Sequence, residues 1–366
     1  MAKKRAARQS LFIACEGRNT EPLYFESIAE QIEDEGNLVI TIYPDRNNDS
    51  PKTDALGLIR EAQSRGDEFD ELWVVFDKNG YTKHAEAFAL AEGDANRKKV
   101  NIAFSSIAFE HWILLHFTQS ATYFVKSDCK DAKEHTLFCG TNRHTQDCHG
   151  ERCVAGFIRQ NAFCSDYAKS NNYSFYFNHK EKTEIALKNA AWLRFKMAQE
   201  ITKNGGKIHS INPYTNVDVL VKRLLNIHTN FIWSSINESI TVENLILKVE
   251  KEVSKWVVSI TNEGKSTFLL NSQNLDNHFK LLNQTIQLPL TIDASVLIKP
   301  NETKAVLLNF ETTGEILLFK FGQHDVFIEH GGFVAGGEGK LFFHAAFIHD
   351  RYGRHEGPLR ELRGTS

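Results

Sequence analysis

Three acidic residues in the first third of the chain each follow a short apolar segment: Glu16, Asp77 and Glu110. Carboxylates that gather without nearby arginines repel each other, so they require protons or a cation. Their oxygens suit Mg²⁺ or Mn²⁺, and such an ion polarises a phosphodiester and supplies a bound hydroxide as nucleophile. We therefore take these three residues as candidate metal ligands and catalytic groups.

The surrounding pattern predicts elements that would bring the three acids together. Short apolar runs rich in β-branched and aromatic residues predict strands buried on both faces, at residues 11–15, 38–42, 72–76 and 100–104. Helical spacing of apolar residues predicts helices at residues 21–35, 54–65, 82–97 and 108–117. Strands alternating with helices predict an α/β fold with a mostly parallel sheet. Ligands bind at the carboxyl ends of such strands, although each acid alone is also explained as a helix cap or a dipole-matching charge.

The pattern changes along the rest of the chain. Helices are predicted at residues 183–203 and 217–227, and short β-rich runs at residues 255–261, 267–270, 285–292, 305–310 and 315–321. Such runs separated by polar turns predict an antiparallel β-sandwich. We expect a catalytic α/β domain at 1–232 with a Cys/His-rich insertion at about 126–165, a β-sandwich accessory domain at 233–335, and a flexible tail at 336–366.

Composition excludes several classes of protein. The 366 residues include 43 basic and 46 acidic side chains, so the formal charge of −3 argues against a surface that is basic throughout. No apolar run approaches the roughly 20 residues needed to cross a bilayer. The basic start is followed by a short apolar run that Glu16-Gly17-Arg18 interrupts, unlike a signal peptide. We expect a soluble cytoplasmic protein with no membrane partner.

Cysteines and histidines crowd into one polar stretch. The cysteines of interest are Cys129, Cys139, Cys148 and Cys153, with histidines between them. Zinc takes four ligands of these types, and the metal would replace a core in a segment this polar. The stretch contains no Cys-x₂-Cys pair, so scattered thiols in a substrate-facing insertion explain it as well. The sequence leaves both interpretations open.

Phosphate contacts require cations, and two groups of basic residues offer them. One is an N-terminal arm and the other recurs along one helical segment: Lys3, Lys4, Arg5 and Arg8, and Lys180, Lys182, Lys188, Arg194 and Lys196. A solvated helix face explains the second group equally well. His111 and His116 flank an apolar helical face, which favours a core or capping role over catalysis. Glu21 favours a dipole-matching role in the first helical turn.

Four segments resemble the motifs of RloB-like proteins, a TOPRIM-related family associated with abortive phage resistance. They are Phe-Ile-Ala-Cys-Glu-Gly-Arg-Asn-Thr-Glu-Pro-Leu-Tyr-Phe at 12–25, Val-Phe-Asp-Lys-Asn at 75–79, Phe-Glu-His-Trp-Ile-Leu-Leu-His-Phe at 109–117, and Asn-Pro-Tyr-Thr-Asn-Val at 212–217. The motifs occur in the family's order and cover roughly residues 8–230. The β-rich C-terminal region is not covered.

The resemblance implies a TOPRIM-type fold that binds divalent metal through Glu16 and the Asp77 motif. It also implies a partner ATPase encoded alongside and cleavage of nucleic acid, whether tRNA, other RNA or DNA. TOPRIM sites usually carry Asp-x-Asp, whereas this chain has Asp77-Lys78-Asn79. Asn79 offers a neutral carbonyl oxygen as a metal ligand, so a two-metal mechanism is less well supported than in other TOPRIM proteins.

Three functions follow from these observations. The first is a Mg²⁺-dependent nuclease that acts as the toxic effector of anti-phage defence. The second is a non-catalytic scaffold with a degenerate TOPRIM site that docks the ATPase, and the third is nucleotidyl transfer or primase-like synthesis. No Gly-x₄-Gly-Lys-Ser/Thr loop is present, so ATP hydrolysis by this chain is not expected. The oligomeric state, including a homo-oligomer, stays open.

Overall fold

The computed structural model describes most of the chain. The described residues are 8–32, 38–45, 54–78, 82–128, 153–160, 180–251, 255–283, 286–288, 290–309 and 316–329, with Cys164, Tyr167 and Lys169. The predicted tail at 336–366 and most of the Cys/His-rich stretch lie outside them. In this part of the chain, no helix is both long and apolar enough to cross a membrane.

The N-terminal half is an α/β unit, as the sequence predicts. Its strands are β1 (Gln9–Cys15), β2 (Leu38–Tyr43), β3 (Glu71–Asp77), β4 (Asn101–Ser106) and β5 (Tyr214–Thr215). They form one five-stranded sheet in the order β2-β1-β3-β4-β5, parallel except for the antiparallel edge strand β5. The mostly parallel sheet is therefore confirmed.

Helices cover both faces of this sheet. They are α1 (Thr20–Ile32), α2 (Ala55–Ser64), α3 (His84–Ala91), α4 (Glu110–Leu115), α5 (Val154–Gln160), α6 (Lys180–Lys203) and α7 (Val217–Leu224), with a 3₁₀ turn at Ile208–Ser210. Alternate residues of the strands face opposite sides. Ile13 and Val75 pack into the core that includes α1, α4 and α6, whereas Phe12 and Phe76 pack into the core that includes α2 and α3.

Helix α3 ends six residues before the predicted boundary at 97. Gly93 adopts a left-handed backbone with φ 73°, and a Cβ atom there would lie 2.4 Å from the carbonyl oxygen of Arg97. Any other residue would clash, so the glycine permits a tight turn that leads into β4. The predicted boundary at 97 overlooks Gly93, although a glycine just after the last helical turn is a common signal of a helix end.

The C-terminal half consists of antiparallel sheets that share one core, as the sequence predicts. Its elements are β6 (Asn230–Ser235), β7 (Ser239–Val242), β8 (Leu245–Lys251), β9 (Lys255–Asn262), β10 (Phe268–Leu270), α8 (Leu275–His278), β11 (Phe279–Asn283), β12 (Ile286–Leu288), β13 (Thr291–Ile292), β14 (Val296–Ile298), β15 (Glu302–Asn309), β16 (Ile316–Phe321) and β17 (His324–Glu329). Two five-stranded sheets have the orders β12-β11-β16-β17-β6 and β13-β15-β9-β8-β7, and β10 pairs with β14. Trp256 and Val258 of one sheet share a core with Phe279 and Phe319 of the other. Only the β17–β6 pair is parallel among the described pairings of these sheets.

Helix α6 joins the two halves. The indole of Trp192 donates a hydrogen bond to Glu329 Oε1 at 2.8 Å, and the Lys196 ammonium pairs with the same carboxylate. The indole of Trp233 donates to the carbonyl oxygen of Lys188 at 3.2 Å and its ring stacks on Phe327. These contacts fix β6 and β17 against the α/β unit.

Candidate active site

The carboxyl edge of the parallel sheet positions Glu16 beside Asp77. The chain leaves β1 at Cys15, and the Glu16 amide donates to the carbonyl oxygen of Val75 in β3 at 2.9 Å. The Asp77 amide then donates to Glu16 Oε2 at 3.3 Å. Gly17, with φ 75°, turns the chain away toward α1. The structure thus brings the first two predicted residues into direct contact through a side chain and a backbone group.

Glu110, the third predicted acid, is the first residue of α4 and is 1% exposed. Its two carboxylate oxygens accept hydrogen bonds from the Tyr167 hydroxyl and the Ser127 hydroxyl, both at 3.2 Å. The ammonium of Lys169 lies 3.2 Å from Glu110 Oε1. These three donors satisfy the hydrogen-bonding capacity of the buried carboxylate, which lowers the free-energy cost of burying it.

A fourth acid, Glu21, belongs to the same electrostatic cluster. It occupies the first turn of α1. Its removal from water, together with the charges of Asp77 and Glu110, raises the pKa of Glu21 well above its usual range. The carboxylates of Asp77 and Glu110 therefore lie close enough to oppose the ionisation of Glu21.

Lys169 is the cation that balances this cluster. Burial on its own would lower the pKa of Lys169, but the charges of Glu110, Glu21 and Asp77 outweigh it and raise that pKa. The backbone oxygen of Lys169 accepts a hydrogen bond from the Thr20 hydroxyl at the start of α1, at 3.3 Å. The segment that carries Lys169 is thereby attached to the helix that carries Glu21.

Glu16 has its own balance of forces. Burial raises the pKa of the Glu16 carboxyl, the hydrogen bond from the Asp77 amide and the Lys169 charge oppose that rise, and Asp54 adds to it. Asp54 is the N-cap of α2, where its carboxylate accepts the Gly57 amide at 2.8 Å. The edge of the sheet therefore has more negative than positive groups.

The donor chemistry of this edge fits a hard divalent cation, since carboxylate oxygens predominate and oppose each other's charge. Within the described ranges, however, no group of three or more His, Cys, Asp or Glu side chains is arranged to hold a metal ion. Asn79, the remaining predicted ligand, lies outside the described residues. Assignment of Glu16, Asp77, Asn79 and Glu110 as metal ligands thus stays a prediction.

The proposed zinc ligands are only partly within the described residues. Cys129, Cys139 and Cys148 lie outside them. Cys153 is buried immediately before α5, and its sulfur accepts a hydrogen bond from the Gly156 amide at 3.3 Å. Such a contact suits a buried thiol near a helix start. The zinc interpretation stays a prediction.

The two histidines of α4 are buried in the core. His116 Nδ1 lies 3.1 Å from the Trp112 carbonyl oxygen and must carry the proton, so Nε2 accepts from the Tyr24 hydroxyl at 3.2 Å. His111 Nε2 donates to the carbonyl oxygen of Ser120 at 3.2 Å. These partners are core groups, as expected for a structural role.

Three basic residues of α6 are engaged in protein contacts: Lys188, Arg194 and Lys196. Arg194 forms a bidentate pair with Asp218 of α7, at 2.6 and 2.7 Å. Lys196 pairs with Glu329, as described above, and Lys188 pairs with Glu184 at 2.9 Å. Arg194 and Lys196 thus connect α6 to α7 and β17, and Lys188 pairs within the helix. Binding of phosphates by the basic residues of α6 stays a prediction.

Comparison with models of protein families assigns the chain to a family. Residues 11–224, more than half of the chain, match the family model described as RloB-like protein. The chain belongs to the RloB-like protein family. Comparison with curated proteins and with solved structures found no match. The matched range of this RloB-like protein contains Glu16, Glu21, Asp77, Glu110 and Lys169 and ends at the last residue of α7.

Two members of the cluster in this RloB-like protein were not predicted as site residues. Glu21 has the sequence signature of a dipole-matching acid, but it begins the helix that follows β1 and so lies at the same sheet edge as the other acids. Lys169 has no signal in the sequence, because it lies 149 residues from Thr20, its contact in α1. A lone lysine in a polar stretch gives no indication of such a long-range contact.

Proposed function

We propose that this RloB-like protein is a divalent-metal-dependent nuclease and the toxic effector of an anti-phage defence system that acts by abortive infection. The observation that carries the proposal is the cluster of Glu21, Asp77, Glu110 and Lys169 beside Glu16, at the carboxyl edge of a parallel sheet. Ligands of open α/β sheets bind at this edge. A nucleic acid is the substrate, and an ATPase encoded alongside controls the activity.

Glu16, Asp77, Asn79 and Glu110 would hold Mg²⁺ or Mn²⁺ in this mechanism. The bound ion supplies Lewis-acid polarisation of the phosphodiester and a hydroxide nucleophile. The Asp77 amide fixes the Glu16 carboxylate through their hydrogen bond. Tyr167 and Ser127 hold the Glu110 carboxylate in one orientation from both of its oxygens. Lys169 offsets part of the negative charge of the cluster through its ion pair with Glu110.

The test is cleavage by purified protein. Labelled tRNA, unstructured RNA, and single- and double-stranded DNA are incubated with Mg²⁺, with Mn²⁺ or with EDTA, in the presence and absence of the neighbouring ATPase. We expect cleavage that requires metal and is lost in Glu16→Gln and Asp77→Asn. A matched control is Glu92→Gln, since Glu92 pairs with Lys99 on the surface away from the cluster. Cleavage that persists in both site variants would refute the proposal.

A second candidate is a non-catalytic scaffold that docks the ATPase. The observation that favours it is the ion pair between Lys169 and Glu110, because a protein cation already balances the acids there. The same assays separate the two functions. A scaffold would bind the ATPase equally well as wild type, Glu16→Gln or Asp77→Asn, and no metal would elicit cleavage.

A further inference from the structure

A row of aromatic rings runs from the core to the surface on the face of the sheet opposite Ile13 and Val75. Phe76 is buried in that face, and its ring stacks with His84 of α3 at a centroid distance of 6.2 Å. His84 stacks in turn with His209 of the 3₁₀ turn at 6.3 Å, with the rings only 11° from parallel. His84 is buried and His209 is partly exposed. The row therefore ends at an accessible ring.

Two cations lie beside the outer ring. Lys207 is the N-cap of the 3₁₀ turn that carries His209. Burial and the charges of Lys207 and Lys78 lower the pKa of His209. Lys78 directly follows Asp77, and its amide donates to the carbonyl oxygen of Ser105 at 3.0 Å. The charge of Lys78 acts on His84 and His209, whereas that of Asp77 acts on Glu21 and Lys169. Among the described side chains, no carboxylate forms an ion pair with Lys78 or Lys207.

The position of this group relates it to the candidate active site. Nε2 of His84 lies 3.4 Å from the carbonyl oxygen of Asp77. The row of rings therefore adjoins Asp77, which is a predicted metal ligand. Phe88 of α3 lies 5.6 Å from His209 and supports that ring from a second direction. His209 is consequently held by His84 and Phe88, and His84 also contacts Asp77 at the end of β3.

We propose that His209, Lys78 and Lys207 form a binding site for single-stranded nucleic acid. A nucleobase stacks on His209 as the next ring of the row, and the phosphates on either side of it contact the two ammonium groups. Aromatic platforms flanked by cations bind single strands in this way, whereas the bases of a duplex are not free to stack. This inference rests on the proposed nuclease function and identifies the substrate as a single-stranded segment that reaches Asp77.

Binding is measured in the Glu16→Gln background, so that cleavage does not interfere. Fluorescence anisotropy compares a labelled 12-nucleotide RNA, the DNA of the same sequence and the two corresponding duplexes, over a series of salt concentrations. We expect both single strands to bind more tightly than the duplexes. The RNA and DNA arms show whether the sugar also contributes.

Variants of the three residues test the assignment. The double variant Lys78→Gln/Lys207→Gln should bind single strands at least tenfold more weakly than the Glu16→Gln parent. The slope of log affinity against log salt concentration should become shallower, because about one to two phosphate contacts are lost. His209→Ala should weaken binding about fivefold to 100-fold, whereas His209→Phe should retain most of it, because a ring is still present. Lys99→Gln is the matched control, because Lys99 pairs with Glu92 near the opposite, amino end of β4. Equal melting temperatures verify that the variants fold.

Either of two results would overturn the inference: tighter binding of duplexes than of single strands, or unchanged binding in both the double lysine variant and His209→Ala. Absence of any nucleic-acid binding would overturn it as well. The outcome is separable from that of the proposed function. Metal-dependent cleavage by wild type with unaffected binding variants would refute only this site, and specific loss of binding without any cleavage by wild type would refute only the nuclease.

Discussion

Lys169 places its ammonium 3.2 Å from Glu110 Oε1, although its backbone belongs to a segment far from α4 in the chain. Glu110 is 1% exposed, whereas the Lys169 side chain is 40% exposed. The pair is therefore a buried acid neutralised from the surface. We therefore expect that another cation can take the place of Lys169.

Lys169→Met should destabilise the protein by about 1–2 kcal/mol, less than the loss of a fully buried partner because Lys169 is partly solvated. Glu110, Glu21 and Asp77 would then lack their cation. Millimolar Mg²⁺ should raise the melting temperature of this variant more than that of wild type, because the ion takes the place of the ammonium. Thermal melting with Mg²⁺ and with EDTA measures both effects.

Lys99→Met is the control for the lysine experiment. Lys99 pairs with Glu92 on the surface, and loss of an exposed pair costs about 0–1 kcal/mol. Its melting temperature should be insensitive to Mg²⁺ beyond the change seen in wild type. An equal Mg²⁺ response in wild type and Lys169→Met would argue against a cation site at this edge.

Glu16→Gln should abolish phage protection and leave the fold intact. The amide oxygen still accepts the Asp77 amide, and the carboxylate charge that burial disfavours is gone, so stability should stay constant or rise slightly. Loss of one metal ligand should cost several kcal/mol of transition-state stabilisation, about 10²-fold or more in rate. Plaque assays and thermal melting measure the two quantities. Full protection at equal abundance would favour the scaffold.

Asn79 tests the departure from the Asp-x-Asp pattern. Asn79→Ala should lower the rate less than Glu16→Gln, because a neutral amide contributes little to cation binding. Asn79→Asp should strengthen metal affinity, because it restores the second acid of the motif. Metal titrations of the cleavage rate compare both variants with wild type. Weaker metal dependence in Asn79→Asp would exclude residue 79 as a ligand.

The sequence predicts the parallel sheet well because its strands are continuous apolar runs that no other local structure explains. The hairpin of β7 and β8 is missed. Strand β7 has only four residues, and the two-residue turn at Glu243-Asn244 has φ 52° at Glu243 but no glycine, the usual signal of such turns. Val242 pairs with Leu245 directly beside this turn.

The site is predicted only where it follows from the strands. Glu16 directly follows β1 and Asp77 ends β3, so the pattern that locates these strands also locates the two acids. Lys169 and the Arg194–Asp218 pair depend on contacts between segments distant in sequence. Hydrophobic periodicity carries no information about which charges such contacts bring together.

Arg194→Met should destabilise the protein by about 2–4 kcal/mol, because Asp218, whose side chain is 5% exposed, would keep an unpaired charge. Replacing both partners in Arg194→Met/Asp218→Leu should recover most of that loss. Lys203→Met, which removes an exposed pair with Glu200, should change stability by less than about 1 kcal/mol. Urea unfolding measures all three. A small effect of Arg194→Met would show that the arginine is available for other ligands.

The last prediction concerns the loss of stability at low pH that comes from His116. Burial lowers the pKa of His116 to about 3, with a smaller contribution from Lys182, although hydrogen bonds to the carbonyl oxygens of Trp112 and Ile113 oppose the shift. In the unfolded chain the imidazole titrates near its ordinary value of about 6.5. The folded state therefore favours the neutral ring. This contribution to stability is present above about pH 6.5 and is lost as the pH falls toward 3.

Between pH 7 and pH 5, His116 should account for a loss of about 2 kcal/mol in the free energy of unfolding, from the cited pKa difference. His116→Gln offers polar atoms to Tyr24 and Trp112 but does not titrate, so its stability should fall less over the same range. Other histidines, including His111, with a pKa lowered to about 4 by burial, contribute equally to both proteins and cancel in the comparison. Urea unfolding at pH 7, 6 and 5 gives the slope of the free energy of unfolding against pH for wild type and for His116→Gln. Parallel curves for wild type and His116→Gln would mean that His116 is already protonated in the folded protein at pH 5.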